Sequence, residues 1–91
     1  MDNKALIIKV NGEYEYRSPL DNQYFTIDEL QEMIGGGYVE VLPSMEESVM
    51  AIGDEEGKLK GLSINFLASS LLGYEVVGDI AFVPVSLLEQ E

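Results

Sequence analysis

Residues 5–17 read ALIIKVNGEYEYR, and this stretch decides the fold. Ala5–Val10 is an apolar, β-branched run with strand character. Asn11-Gly12 closes it, and that pair predicts a type I′ hairpin turn because both residues tolerate a positive φ. The returning segment alternates strictly: Tyr14 and Tyr16 fall on one side, Glu13, Glu15 and Arg17 on the other. A chain that begins with a tight hairpin builds an antiparallel sheet, so the rest is read for elements that extend or cover one.

Downstream, Ser18–Gln23 carries Pro19, Asp21 and Asn22 and reads as a loop. The segment YFTIDELQEMIGGG then predicts a helix. Thr26 is placed to cap it and Glu29, three residues on, to reach back in a capping box, with Phe25 and Leu30 as a hydrophobic staple. Ile27, Leu30 and Ile34 are expected to share one face. Gly35, Gly36 and Gly37 end the helix, since glycine supplies left-handed residues at a helix C-terminus. YVEVL and SVMAIG read as a second hairpin, bounded by GDEEG and with KLKGL as a short strand extension. SINFLASSLLG reads as a second helix, capped by Ser63 or Asn65, with Ile64, Leu67, Ala68 and Leu71 at helical spacing. The last strand runs through IAFVPV, broken beforehand at Gly78-Asp79. Ile80–Val85 is apolar on both faces, which places it centrally in a sheet or against another subunit. The expected class is α+β, a single domain over residues 1–91. It is a small, mostly antiparallel sheet in the order β-β-α-β-β-α-β with two short helices packed on one side.

The chain has seventeen acids, five bases, no histidine and no cysteine. Backbone recognition of DNA or RNA needs clustered Lys and Arg, and only Lys58 and Lys60 lie close together, so neither nucleic acid nor an anionic membrane is an expected partner. Basic protein surfaces are favoured instead. Without thiol or imidazole the usual nucleophiles, bases and soft-metal ligands are missing. A carboxylate pair acting as acid and base is the remaining catalytic route, and seventeen carboxylates make proximity alone uninformative. The expectation is a non-enzyme with no cofactor and no metal. No apolar run reaches the ~20 residues of a membrane span, and a cytoplasmic location is the default.

Three motifs invite sharper chemistry. Asp54-Glu55-Glu56-Gly57 resembles the opening of a calcium loop, but an EF-hand counted from Asp54 would put Lys58, Leu59 and Asn65 at positions 5, 6 and 12. The register fails, and a solvated turn with Gly57 at positive φ is the better reading. The Gly35–Gly37 run follows a helix and precedes a strand, the reverse of a phosphate loop, so it presents carbonyls and not amides. Asp28 and Glu32 lie ~6 Å apart on a helix, near the spacing of successive nucleic-acid phosphates. With Glu29, Glu40, Glu46 and Glu47 they would make an acidic face able to occupy a basic cleft, against the plainer reading of a soluble helix surface. Tyr14, Tyr16 and Tyr38 are expected on sheet faces, where they either stack a ligand or join the core.

The segments MIGGGYVEVLP, DEEGKLKGLSIN and GDIAFVPV together resemble a family of bacteria and phages, the domain of unknown function numbered 3846. The resemblance spans roughly residues 5 to 85. It implies an association with phages, plasmids and similar mobile elements, and carries over no activity and no catalytic residue. The leading expectation is an acidic, non-catalytic protein-binding module acting on a basic, nucleic-acid-binding host protein. Asp28, Glu29, Glu32, Asp54, Glu55 and Glu56 are its candidate contact residues. The alternative is a homo-oligomer holding a nucleotide-like ligand between subunits, with Arg17, Lys58 and Lys60 as the available countercharges.

Overall fold

A computed structural model describes residues 4–89. The elements are β1 (Ala5–Ile8), β2 (Tyr14–Arg17), α1 (Ile27–Met33), β3 (Val39–Leu42), β4 (Val49–Asp54), α2 (Phe66–Leu72) and β5 (Ile80–Pro84), followed by a 3-10 turn, Val85–Leu87. Class and element order are as the sequence predicts. The five strands form one sheet in the order β2-β1-β5-β4-β3, and every neighbouring pair is antiparallel.

Contrary to expectation, the helices do not share a side. Leu6 pairs with Phe82 and Ile8 with Ile80, so these point one way, while Ile7 and its partner Ala81 point the other. Met33 and Ile34, at the end of α1, pack with Ala5, Ile7, Ile52, Ala81 and Val83. Ala68 of α2 packs with Ile8, Val76 and Ile80, flanked by Leu6, Leu72 and Phe82. The unbroken run ALII explains the arrangement, because a strand apolar on both faces needs cover on both. β5 is central, as its composition requires.

Local chemistry sets the joints. The first hairpin turns through three residues and not two. Gly12 has φ of 91° whereas Asn11 does not adopt a positive φ. Gly12 N–H donates to Lys9 O at 2.9 Å and Lys9 N–H to Glu13 O at 2.8 Å, the pattern of a turn followed by a left-handed bulge residue. At the end of α1, Gly35 N–H donates to Glu32 O and Gly36 N–H to Gln31 O, with φ of 93° and 98°. This is a Schellman motif, which satisfies the last carbonyls of the helix. Gly37 serves differently. A Cβ there would lie 2.3 Å from Asp54 Oδ2, so glycine is needed for close approach.

Other sequence expectations shift by a residue or a face. Residues 55–61 form turns and not a strand extension. Gly57 does not take a positive φ; a Cβ on it would meet Val77 Cγ2 at 2.9 Å. Ile27, grouped by spacing with Leu30 and Ile34, is exposed, as are Leu67 and Leu71, grouped with the buried Ala68. Asn65, not Ser63, caps α2: its Oδ1 accepts Ala68 N–H at 3.0 Å. Its Nδ2 also donates to Ile8 O at 2.9 Å and Gly78 O at 3.0 Å, fixing the helix to the sheet. Among the described residues no helix is long and apolar enough to cross a membrane.

Candidate functional site

The acids singled out in the sequence do not form one face. Two are internal. Glu29 is 8% exposed and completes the capping box. Its Oε2 accepts Thr26 N–H at 2.7 Å and its Oε1 accepts Leu20 N–H at 2.9 Å. The Thr26 amide first, then Leu20, holds this carboxyl below its ordinary range. Asp54 has a side chain 4% exposed and pairs with Lys60 Nζ at 2.7 Å, while its Oδ1 accepts Glu56 N–H at 2.8 Å. The bond from Lys60 is the main cause of its lowered pKa, and Asp54 in turn raises that of Lys60. Neither Glu29 nor Asp54 is available to a partner, because each carboxylate is spent on internal donors.

Asp28 and Glu32 are exposed on α1, and Glu32 is tied to Arg17 at 3.1 Å. Glu55 and Glu56 are exposed in the turn after β4. Glu40 shares a face of β3 with Leu42, which packs on the α2 side. It therefore lies across the sheet from α1, and the continuous acidic face imagined from the sequence is split between the two sides. Among the described residues no group of three or more Asp and Glu side chains could hold a metal ion.

A different grouping emerges beside α2. The turn after β4, the edge strand β3 and residues 74–77 enclose a cleft of about 360 Å³. Leu42, Val76 and Ile80 give it an apolar floor, with Glu40, Glu55 and Glu75 around it beside the Lys60-bound Asp54, and Lys58 is the one lysine among the described lining residues. Tyr74 lines it too, donating its hydroxyl to Pro43 O at 2.7 Å. Burial, and then the charge of Glu40, pushes the phenol pKa up. An apolar floor beside three carboxylates suits a cationic side chain whose aliphatic stem needs cover, a lysine or arginine. Of the six acids proposed from sequence, Asp54 and Glu55 line this cleft, and the Asp54 carboxylate is already taken by Lys60. Glu75 was hidden in a segment that reads as plain strand, and its only signal was the neighbouring aromatic.

A larger, mostly apolar groove of about 800 Å³ lies on the same side of the sheet, over Leu6, Val49, Phe82 and Pro84. Among the described residues Lys4 and Glu47 are its only charged lining residues. Tyr14 and Tyr16 are 63% and 48% exposed on this side of β2, edge to face with centroids 6.1 Å apart.

A family model described as a domain of unknown function, DUF3846, matches residues 3–86. The chain belongs to that family. No curated protein and no solved structure matches it.

Proposed function

We propose that this family member is a non-catalytic binding module for a basic protein, and that the cleft bounded by Glu40, Glu55 and Glu75 receives a lysine or arginine of that partner. An accessory role in a phage or plasmid, directed at a basic nucleic-acid-binding host protein, fits the resemblance and the charge. The observation that carries the reading is Glu40, Glu55 and Glu75 placed around an apolar floor beside the Lys60-bound Asp54, with Lys58 the one lysine among the described lining residues. Two of the five bases, Arg17 and Lys60, are already bound to carboxylates of the same chain, which leaves the acidic excess largely unopposed.

The same facts disfavour the nucleotide-like alternative. Arg17 and Lys60 are already neutralised by carboxylates of the same chain, and the larger groove offers one lysine over an apolar floor. Calorimetric titration of the protein with a lysine-rich peptide tests the proposal. Binding should weaken steeply with salt, as exposed charge pairs are screened beyond about 8 Å at physiological ionic strength. It should be lost in the triple variant Glu40→Gln, Glu55→Gln, Glu75→Gln. Affinity indifferent to salt, or unchanged in that variant, would refute it. Stabilisation by a nucleotide in a thermal-shift screen would favour the alternative.

A further inference from the structure

We propose that β2 is a self-complementary edge through which two copies of this chain join their sheets, with Tyr16 of each copy on the two-fold axis. Among the described residues the sheet order leaves β2 with a neighbour on one side only. Which of its backbone groups face outward follows from the hairpin. Lys9 N–H donates to Glu13 O, so the pair Lys9 and Glu13 is hydrogen-bonded, and in an antiparallel ladder such pairs alternate. With Ile8 opposite Tyr14 and Ile7 opposite Glu15, the groups of Glu13, Glu15 and Arg17 turn toward β1. Those of Tyr14 and Tyr16 turn away from it, toward the open edge.

A second copy must therefore set its own even-numbered residues against these, which leaves two central registers. Centring on Glu15 puts that carboxylate opposite its own copy, a repulsive pair. Centring on Tyr16 puts Tyr16 opposite Tyr16, Tyr14 opposite the partner's Ser18, and Glu15 opposite the partner's Arg17 twice over. The second register makes about six backbone bonds and two opposite-charge cross-strand pairs. Arg17 already contacts Glu15 and Glu32, at 3.0 Å and 3.1 Å, through two of its nitrogens. A guanidinium has five N–H donors, so it can take a further carboxylate without releasing either.

The other face of the strand agrees. Tyr14 and Tyr16 sit exposed beside a shallow depression of about 200 Å³ lined by Leu6, Ile8, Leu67 and Leu71. Pairing at Tyr16 brings the tyrosines of both copies side by side and joins the two depressions into one apolar strip. The opposite edge lacks this logic, since β3 carries no base to face Glu40 of a second copy. The net charge of −12 opposes association, so the dimer forms only at high concentration.

Sedimentation equilibrium of the full chain, at about 0.15 M ionic strength and up to about 1 mM protein, tests this. The mass should rise from 10.1 kDa toward twice that value. Glu15→Arg and Arg17→Glu each turn both cross-strand pairs into like charges and should weaken dimerisation roughly tenfold to a few hundredfold. Mixing the two variants restores both pairs and should return a heterodimer. In the unaltered chain, amide exchange at Tyr16 should slow as concentration rises, whereas that at Glu15 is already protected by β1. A chain that stays monomeric at the highest concentration, single variants that dimerise like the parent, or concentration-independent exchange at Tyr16 would each overturn the proposal.

Discussion

Replacing Asn65 with alanine removes the side chain that joins α2 to the sheet, and the consequences can be worked bond by bond. Asn65 is 1% exposed and makes three hydrogen bonds, accepting from Ala68 N–H and donating to Ile8 O and Gly78 O. Loss of the cap costs about 1 kcal/mol. Each buried carbonyl deprived of its donor costs about 1–3 kcal/mol, toward the lower end where a second lone pair is already satisfied. The expected loss is about 3 kcal/mol, a large share of the roughly 5–14 kcal/mol available to a domain of this length. Urea unfolding followed by circular dichroism would register it as a midpoint lowered by about 2–3 M at an m-value near 1 kcal/mol/M. Asn65→Asp separates the roles, since it keeps the acceptor for Ala68 but turns a carboxylate onto two carbonyl oxygens. It should be at least as damaging as alanine at neutral pH. A loss below about 1 kcal/mol in the alanine variant, or a parent-like aspartate variant, would refute the reasoning.

Other positions give distinct signatures. Gly37→Ala would drive a methyl into Asp54 and displace its carboxylate from Lys60, costing about 2 kcal/mol by thermal or urea unfolding. Glu29→Gln sets an amide donor against one of the Thr26 and Leu20 amides, and should cost about 1–2 kcal/mol in the same assay. Glu29 and Asp54 both have folded pKa values below their unfolded ones. Their contribution is present above the ordinary carboxylate range and disappears as pH falls through the folded values, so stability should drop on acidification. Asp54→Asn should flatten that drop while lowering stability at neutral pH, as measured by unfolding midpoints from neutrality down to the acid transition.

Local signals in the chain were legible because they are matters of backbone chemistry. Thr26 with Glu29, the Gly35-Gly36 stop and the two-faced run at Ile80 each report a short-range demand that tertiary structure kept. Sidedness was harder. The same two-faced pattern at Ala5–Ile8 demands cover on both faces of the sheet, and so a helix on each. The acids show a second limit. Asp54 looks like surface charge in the sequence, and the capping box accounts for only one oxygen of Glu29; the positions of Lys60 and Leu20 in space make both acids internal anchors. Glu75 became a site residue because residues 74–77 fold against the turn after β4, a contact with no local signature.

Whether the acidic excess works through one cleft or as a diffuse field is decided by where a cationic ligand lands. Amide chemical-shift mapping with a lysine-rich peptide should move Gly53, Glu55, Glu75 and Val76 first and leave Asp28 and Glu32 unchanged. The Glu75→Lys variant should lose that response while unfolding like the parent. Shifts spread evenly over both faces of the sheet, or confined to α1, would contradict the cleft and with it the proposed mode of binding.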